Sequence, residues 1–241
     1  MKFFLYSFVV AALVIATSAE TVPANPATTP VPKAGGWMKQ HESFNEISKK
    51  GEAQLVFLGD SITAGWSSKG KDAWMTHWAP LKAANFGISG DRTEHVLWRL
   101  ENGNFDGLKP KLIVLMIGTN NTGQQKPDGY RCTAPQTAEG VKAILTKLKE
   151  KMPTTKILLL DIFPRGANNE DKWRQQNAET NAIIKTFADD KTVIYYPIGD
   201  KFLAPDGTLS KDIMPDLLHP NAKGYDIWVE AIEPKVKELM Q

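Results

Sequence analysis

The sequence predicts an α/β fold built on a doubly wound, parallel β-sheet. Five short runs consist almost entirely of apolar residues without polar alternation, which is typical of strands that are covered on both faces. Stretches with helical periodicity separate most of these runs. Strands and helices that alternate in this way form parallel sheets with right-handed crossovers. At 241 residues, the chain is long enough for one such domain with a sizeable core.

The elements follow from the apolar pattern in chain order. The predicted strands are Leu55–Leu58, Ala84–Phe86, Leu112–Ile117, Ile157–Leu160 and Val193–Tyr196. The predicted helices are Trp37–Lys49, Thr93–Leu100, Thr137–Lys151, Asp171–Asp189 and Tyr225–Met240. Pro234 predicts a kink or a boundary in the last helix, because proline lacks the N–H that a helix interior needs. Residues 37–241 are therefore predicted to form a single domain.

The first 36 residues do not fit this pattern. Residues 1–19 combine Lys2, an uncharged apolar stretch that is too short to cross a bilayer, and small residues before Ala19. They predict a secretory signal peptide cleaved after Ala19, and hence a secreted or extracytoplasmic protein without stable membrane insertion. An uncleaved membrane anchor is the alternative. Residues 20–36 are rich in Thr, Pro and Ala, which predicts a flexible linker.

Composition excludes several classes of function. The formal net charge is +2 and no basic stripe is present, which argues against a nucleic-acid partner. Cys132 is the only cysteine, so an intramolecular disulfide is impossible, and a buried or incidental thiol is expected. No Cys/His cluster has zinc-site spacing and no glycine-rich loop has phosphate-binding form. The sequence therefore predicts no metal and no cofactor.

Three predicted strands end in polar turns that contain glycine: Gly59–Ser61, Gly87–Asp91 and Gly118–Asn121. Any one of them can be explained as an ordinary turn. Carboxyl ends of parallel strands lie at one edge of a sheet, however, so the three turns are expected to converge in one crevice. Together with a late Asp-x-x-His sequence, they predict a catalytic site.

The residue types fit acyl transfer. Ser61 is the candidate nucleophile and needs a base, for which His219 is the candidate. Asp216 can reach the other ring nitrogen of His219 if the segment makes a helical turn, and would fix the tautomer. The backbone N–H groups of Ser61 and Gly90 and the side-chain amide of Asn120 are the candidate donors of an oxyanion hole.

Nearby polar and aromatic residues have simpler interpretations. Asp60 is expected to position the turn before Ser61 by accepting from backbone N–H groups. Asp91 is predicted to be the N-cap of the following helix, with a supporting role at the site as the alternative. Trp66 is expected in the core or at its rim, with a substrate-facing position as the alternative. Structural or surface roles are predicted for the remaining histidines, which are His41, His77 and His95.

The Gly-Asp-Ser, middle Gly, Gly-x-Asn and Asp-x-x-His blocks resemble the SGNH (GDSL) esterase/lipase family, over roughly residues 55–240. Residues 85–100 are similar to the platelet-activating factor acetylhydrolase group of that family. The resemblance implies a flavodoxin-like, three-layer α/β/α fold with a five-stranded parallel sheet, and a possible homodimer. It also implies that Ser61, Asp216 and His219 form the triad and that Gly90 and Asn120 complete the oxyanion hole.

These observations predict a secreted serine esterase that hydrolyses short-chain esters, acetyl above all, through an acyl-enzyme. The secretion signal favours O-acetylated carbohydrates as substrates. An acetylhydrolase or lysophospholipase acting on lipid esters is the alternative enzyme. A non-catalytic carbohydrate-binding module that keeps the fold is an alternative from another class.

Overall fold

The computed structural model describes residues 1, 24–123 and 131–241. Apart from Met1, the predicted signal peptide lies outside the described residues, as do residues 20–23 of the predicted linker. Among the helices that are described, none is both long and apolar enough to cross a membrane.

A five-stranded, entirely parallel sheet forms the centre of the molecule, as the sequence predicts. Its strands are β1 (Leu55–Gly59), β2 (Ala83–Gly87), β3 (Leu112–Met116), β4 (Lys156–Leu160) and β5 (Val193–Tyr196). Their order across the sheet is β2-β1-β3-β4-β5, the flavodoxin-like order. The topology reverses between β1 and β3, and ligands of open α/β sheets bind outside the carboxyl ends of strands at such a point.

Helices cover both faces of the sheet. They are α1 (Gly36–Lys50), α2 (Ser61–Ala64), α3 (Lys71–Ala73), α4 (Thr93–Glu101), α5 (Ala134–Lys151), α6 (Lys172–Ile184) and α7 (Ala222–Leu239). Pro234 lies inside α7, which continues past it, so the predicted boundary is absent. Asp171 caps α6 from outside by accepting the N–H groups of Trp173 and Arg174, and a 3₁₀ turn follows after Ile184.

Two apolar clusters fill the space between the sheet and its helices. Alternation along β1 sends Leu58 into a cluster with side chains of α4 and α5, and Phe57 into a cluster on the opposite face with α7. The second cluster is rich in aromatic residues, with Trp66, Trp78 and Trp228 fully buried. Burial of these indoles removes a large apolar surface from water, but among the described residues none of the three Nε1 groups has a hydrogen-bond partner, which offsets part of the stabilisation. Packed apolar side chains therefore support the sheet on both of its faces, behind the ends of the strands.

The predicted flexible linker is wrong for its described part. Residues 26–28 form a 3₁₀ turn whose Ala27 is fully buried, and Asn25 Nδ2 donates to Gln136 O of α5 at 3.1 Å. The Ala27 carbonyl accepts from Thr93 Oγ1, and Lys33 reaches the turn after β2. Composition alone predicts a tether here because the partners of these residues lie 57–114 positions away in sequence. Residues 25–33 are called the N-terminal strap below.

Gly87, the last residue of β2, allows α2 to pack closely on the strand. A Cβ at this position would overlap the backbone nitrogen of Ala64, which cannot move without displacing α2 and Ser61. We expect Gly87→Ala to destabilise the protein by about 1–3 kcal/mol, the usual cost of overpacking, and to lower the ester hydrolysis that the sequence predicts, by moving Ser61. Urea unfolding and ester hydrolysis measure both effects.

Gly36→Ala is the matched control for this substitution, because a Cβ at Gly36 would meet no atom within 4 Å. It should leave stability and activity close to those of the unsubstituted protein. Equal behaviour of the two alanine variants would show that close packing at Gly87 does not position α2.

Candidate active site

Ser61 begins α2 directly after the carboxyl end of β1. The turn is held by Asp60, whose Oδ1 accepts the N–H of Ile62 at 3.0 Å, as expected of a residue that caps a helix. The Tyr225 hydroxyl donates to Ile62 O at 2.7 Å and ties α2 to α7. The serine side chain therefore emerges from a short, well-fixed turn at the edge of the sheet.

A serine, a histidine and an aspartate from distant segments form a continuous relay. Ser61 Oγ lies 2.9 Å from His219 Nε2, although 158 residues separate them in sequence. His219 Nδ1 lies 2.6 Å from Asp216 Oδ2. With the proton on Nδ1, the ring donates to Asp216 and leaves Nε2 free to accept the serine proton, which is the arrangement of a base-activated nucleophile.

The segment that carries Asp216 and His219 is a tight turn and not the helical turn on which the sequence-based prediction depended. Leu217 has a φ of 58°, in the left-handed region. Asp216 Oδ1 accepts the N–H groups of Leu218 and His219, and Gly166 N–H donates to Leu217 O. Burial raises the pKa of Asp216, but the hydrogen bonds from the His219 ring and backbone outweigh it and lower the pKa overall, which favours the carboxylate.

Two of the three predicted oxyanion donors are unengaged. In the described part of the chain, the backbone N–H groups of Ser61 and Gly90 donate to no protein acceptor. Gly90 has a φ of 73°, which a residue with a side chain rarely adopts. Asn120 Nδ2 donates to Asp91 O at 2.9 Å, so the amide is fixed next to Gly90 and keeps one N–H for a ligand.

Asp60 is fully buried, and its Oδ2 has no hydrogen-bond partner among the described residues. Burial is the main reason why the pKa of Asp60 rises to about 7, while the N–H of Ile62 opposes the shift and Asp91 adds to it. A carboxyl group with a displaced pKa thus lies directly beside Ser61 in the chain, as often occurs at functional sites.

Asp91 is not the helix N-cap that the sequence predicts, because Arg92 occupies that position. Asp91 is instead fully buried and forms an ion pair with the equally buried Arg99, with 3.0 Å between Arg99 Nη2 and Asp91 Oδ2. That contact lies outside hydrogen-bond alignment. Trp37 Nε1 donates to Asp91 Oδ1 at 2.6 Å. The alternative predicted from the sequence, a supporting role at the site, stays a prediction.

Sequence analysis did not identify Lys33, Trp37 and Arg99 as part of the site. Arg99 lies on the helix that follows Asp91, but Asp91 itself precedes the N-cap, so helical spacing does not predict their contact. Lys33 and Trp37 contact Asp91 across more than 50 residues, and no local pattern marks them.

The remaining candidates have structural positions. His41 and His95 are buried and pack against Trp37, and burial lowers the pKa of His95 to about 3. His77 is paired with Glu233. Trp66 is completely buried, so its substrate-facing alternative is wrong. Cys132 is buried as well. Within the described ranges, no group of three His, Cys, Asp or Glu could hold a metal ion.

Comparisons with known proteins match most of the described chain. The model of the GDSL-like lipase/acylhydrolase family matches residues 57–227. The platelet-activating factor acetylhydrolase IB subunit alpha1 of Homo sapiens is 36% identical over 222 residues, which cover 90% of this chain and 91% of that protein.

Solved structures show the same fold. A GDSL-like lipase from Bacteroides thetaiotaomicron is similar with a TM-score of 0.66 and 22% identity, over 83% of this chain and 97% of the other. An acetylxylan esterase from Geobacillus stearothermophilus gives a TM-score of 0.59 and 20% identity, over 79% and 96% of the two chains.

Proposed function

The chain belongs to the GDSL-like lipase/acylhydrolase family, and on that premise we propose that it is a secreted serine esterase that removes short acyl groups, chiefly acetyl. That it hydrolyses esters follows from the family; the catalytic residues, the substrate and the secretion are our proposal. We assign O-acetylated carbohydrates as the substrate class.

One observation carries the catalytic assignment: the unbroken relay Ser61–His219–Asp216 beside two unengaged N–H groups. Ser61 is the nucleophile, His219 is the general base and Asp216 orients the ring. A serine hydroxyl attacks an ester readily only when a base accepts its proton. The distance of 2.9 Å between Ser61 Oγ and His219 Nε2 meets that requirement without any rearrangement.

Acylation begins when Ser61 Oγ forms a bond to the carbonyl carbon and its proton passes to His219 Nε2. The carbonyl oxygen becomes an oxyanion, which the N–H groups of Ser61 and Gly90 and the Asn120 amide stabilise. Such donors act mainly on the transition state, and each is worth about 3–4 kcal/mol. His219 then gives the proton to the leaving alcohol, and the acyl-enzyme remains.

Deacylation repeats these steps with water as the nucleophile. His219 accepts a proton from the water as it attacks the acyl carbon, and the same donors stabilise the second oxyanion. The proton returns to Ser61 Oγ as the acid leaves. Asp216 remains a carboxylate throughout and stabilises the imidazolium that forms twice per turnover. These steps require no metal and no cofactor.

Different observations support the two parts of the proposed substrate, which are the acetyl group and the carbohydrate. Two similar proteins have names that refer to acetyl groups. They are a platelet-activating factor acetylhydrolase subunit and an acetylxylan esterase. The secretory pattern in residues 1–19 favours a substrate outside the cell, where acetylated polysaccharides occur.

Hydrolysis of acetylated lipid esters is the second candidate. It is favoured by the relative at 36% identity, whose name specifies platelet-activating factor, an acetylated lipid. The two candidates share the acylation chemistry and differ only in the alcohol that leaves.

A substrate panel on a protein that starts at residue 20 separates the candidates. We expect acetyl esters of p-nitrophenol to be hydrolysed faster than butyryl esters, and long-chain esters to be poor substrates. Acetylated xylo-oligosaccharides should exceed an acetylated ether phospholipid in kcat/KM. Ser61→Ala, assayed in parallel, corrects for contaminating esterases.

Each outcome of the panel has a defined meaning. Activity on long chains with none on acetyl would contradict the short-acyl proposal. A preference for the phospholipid would replace the carbohydrate by the lipid candidate. A wild type no more active than Ser61→Ala on every ester would remove the proposed catalytic role.

A further inference from the structure

Asp91 is connected to the candidate site through both its side chain and its backbone. It follows Gly90 directly, precedes α4 and is fully buried. Its side chain faces the interior and its backbone faces the candidate oxyanion hole. Asp91 takes no part in the proton transfers of the proposed reaction.

Four side chains surround the Asp91 carboxylate. Trp37 Nε1 donates to Oδ1 at 2.6 Å, Arg99 Nη2 lies 3.0 Å from Oδ2, and Lys33 Nζ lies 3.7 Å from Oδ1. The fourth is His95, whose Nδ1 lies 3.9 Å from Oδ1. Arg99 is itself fixed by Phe86 O and Asn104 Oδ1, both 3.1 Å from its Nη1. We call Asp91 with Lys33, Trp37 and Arg99 the Asp91 hub.

The backbone of Asp91 connects this hub to two proposed oxyanion donors. Its carbonyl oxygen accepts from Asn120 Nδ2 at 2.9 Å and so determines where the amide points. Its own N–H donates to Ile88 O at 3.1 Å, which closes the turn that carries Gly90. Lys33 Nζ also donates to Gly90 O at 2.6 Å. The conformation of Gly90, with its φ of 73°, is thus fixed on both sides.

Fixing a turn with a buried ion pair carries a large desolvation cost. Replacing such a pair by apolar residues is often neutral or stabilising, because desolvation offsets much of the attraction. Burial raises the pKa of Asp91, and the cations around it oppose that shift. The pair therefore contributes little net stability, whereas the hydrogen bond from Trp37 Nε1 to Oδ1 holds the Asp91 carboxylate in one orientation.

We propose that Asp91 is a positioning residue that aligns the Gly90 N–H and the Asn120 amide with the developing oxyanion. The proposal rests on the proposed function and adds to it that the N-terminal strap contributes, through Lys33, to the geometry of the active site. Asp91 acts through Gly90 and Asn120 and does not touch substrate.

Donors that act on the oxyanion stabilise the transition state more than the bound ester. Loosening the hub should therefore lower kcat and leave KM nearly unchanged. Removing one oxyanion donor outright typically costs on the order of 10²- to 10³-fold in kcat. We expect Asp91→Asn to lower kcat by about 10²-fold, because both donors lose their alignment.

Lys33→Met tests the same idea without disturbing the buried pair, since Lys33 is partly exposed. Loss of one charged hydrogen bond, that to Gly90 O, should lower kcat by about tenfold. This variant keeps the test decisive if Asp91→Asn does not fold. Asp161→Asn is the matched control, a buried carboxyl after β4 that accepts from Ile198 N and Gly199 N. It should retain full kcat.

The decisive readout is the inhibition constant of a trifluoromethyl ketone, whose adduct with Ser61 carries an oxyanion. The constant should rise in each hub variant by the same factor by which kcat/KM falls. Active-site titration measures the fraction of competent enzyme separately. A purely structural role would reduce that fraction and leave the inhibition constant unchanged.

The results separate the two proposals. If folded Lys33→Met and Asp91→Asn keep the wild-type kcat and inhibition constant while Ser61→Ala is inactive, the positioning role is wrong and the proposed function stands. If Ser61→Ala matches the wild type in activity, the proposed function fails first. A loss of kcat with a proportional rise in the inhibition constant supports the Asp91 hub.

Discussion

Replacing Ser61 by alanine should lower kcat for acetyl esters by about 10⁴- to 10⁶-fold and leave the fold intact. The hydroxyl is the atom that forms the acyl-enzyme, and no other described serine has a histidine nitrogen within hydrogen-bond distance. Ser61 is partly buried, and among the described residues its Oγ forms a hydrogen bond only with His219, so the loss of one oxygen should not change unfolding by urea.

The same relay predicts strong non-additivity. His219→Ala should reduce kcat about as severely as Ser61→Ala, and the double variant should lose little more, because the residues act as a unit. Single-turnover acylation with p-nitrophenyl acetate measures the step directly. Ser68→Ala is the matched control, since Ser68 is an exposed serine nearby whose Oγ donates only to Gly65 O within the part of the chain that the structure describes.

Two results would contradict this prediction. Substantial turnover by Ser61→Ala would require another nucleophile. Substantial turnover by His219→Ala, with Ser61 still acylated, would require another base. Full activity of Ser68→Ala is needed before either result is interpreted.

The sheet and the relay could be predicted because their signals are local. Each strand is a continuous apolar run, and each polar turn begins where a run ends, as at Gly59, Gly87 and Gly118. The spacing between Asp216 and His219 also lies within one turn of chain. Parallel pairing then brings the ends of β2, β1 and β3 together, which assembles the proposed donors from separate segments.

The supports of the site could not be predicted, because each depends on a distant partner. Asp91 stands where an N-cap is expected, and only the fold shows that Trp37 and Arg99 surround its carboxylate. Residues 25–33 have the composition of a tether, yet Asn25 donates to a carbonyl oxygen of α5 and Lys33 donates to Gly90 O. Leu217 adopts a left-handed conformation that an apolar residue seldom takes.

The reacting groups and the contacts that align them therefore differ in how the sequence determines them. The reacting groups lie at strand ends, where local sequence determines them. Their alignment depends on buried polar contacts between elements that are far apart in sequence. Substitutions beneath the strand ends should therefore affect the rate of the reaction more than the choice of substrate.

Ionisation of Asp60 should lower the free energy of unfolding of the protein as the pH rises from about 4 to 8. Its pKa rises from an ordinary value of 3.8 to about 7 in the folded state, chiefly because the carboxyl is fully buried. The folded state thus binds this proton more tightly than the unfolded state does. The stabilisation is fully present below about pH 4 and is lost as the pH rises through 7.

The expected size of the effect is large. Three pKa units correspond to about 4 kcal/mol of unfolding free energy. Asp60→Asn removes the titration, and its amide oxygen can still accept the N–H of Ile62. At pH 4 the protonated carboxyl of the wild type and the amide of the variant both place a buried donor without an acceptor at this position, so the two proteins should then have similar stability.

Urea unfolding at pH 4 and pH 8 therefore tests the change between the two conditions. We expect the stability of Asp60→Asn relative to the wild type to rise by about 3–4 kcal/mol from pH 4 to pH 8. Burial also raises the pKa of Asp161, to about 6, but that group is present in both proteins and cancels in the comparison. Asp226→Asn removes an exposed carboxylate of α7 and controls for net charge. A relative stability that stays constant with pH would show that Asp60 remains ionised in the folded state, which requires a cation or ordered water at its Oδ2.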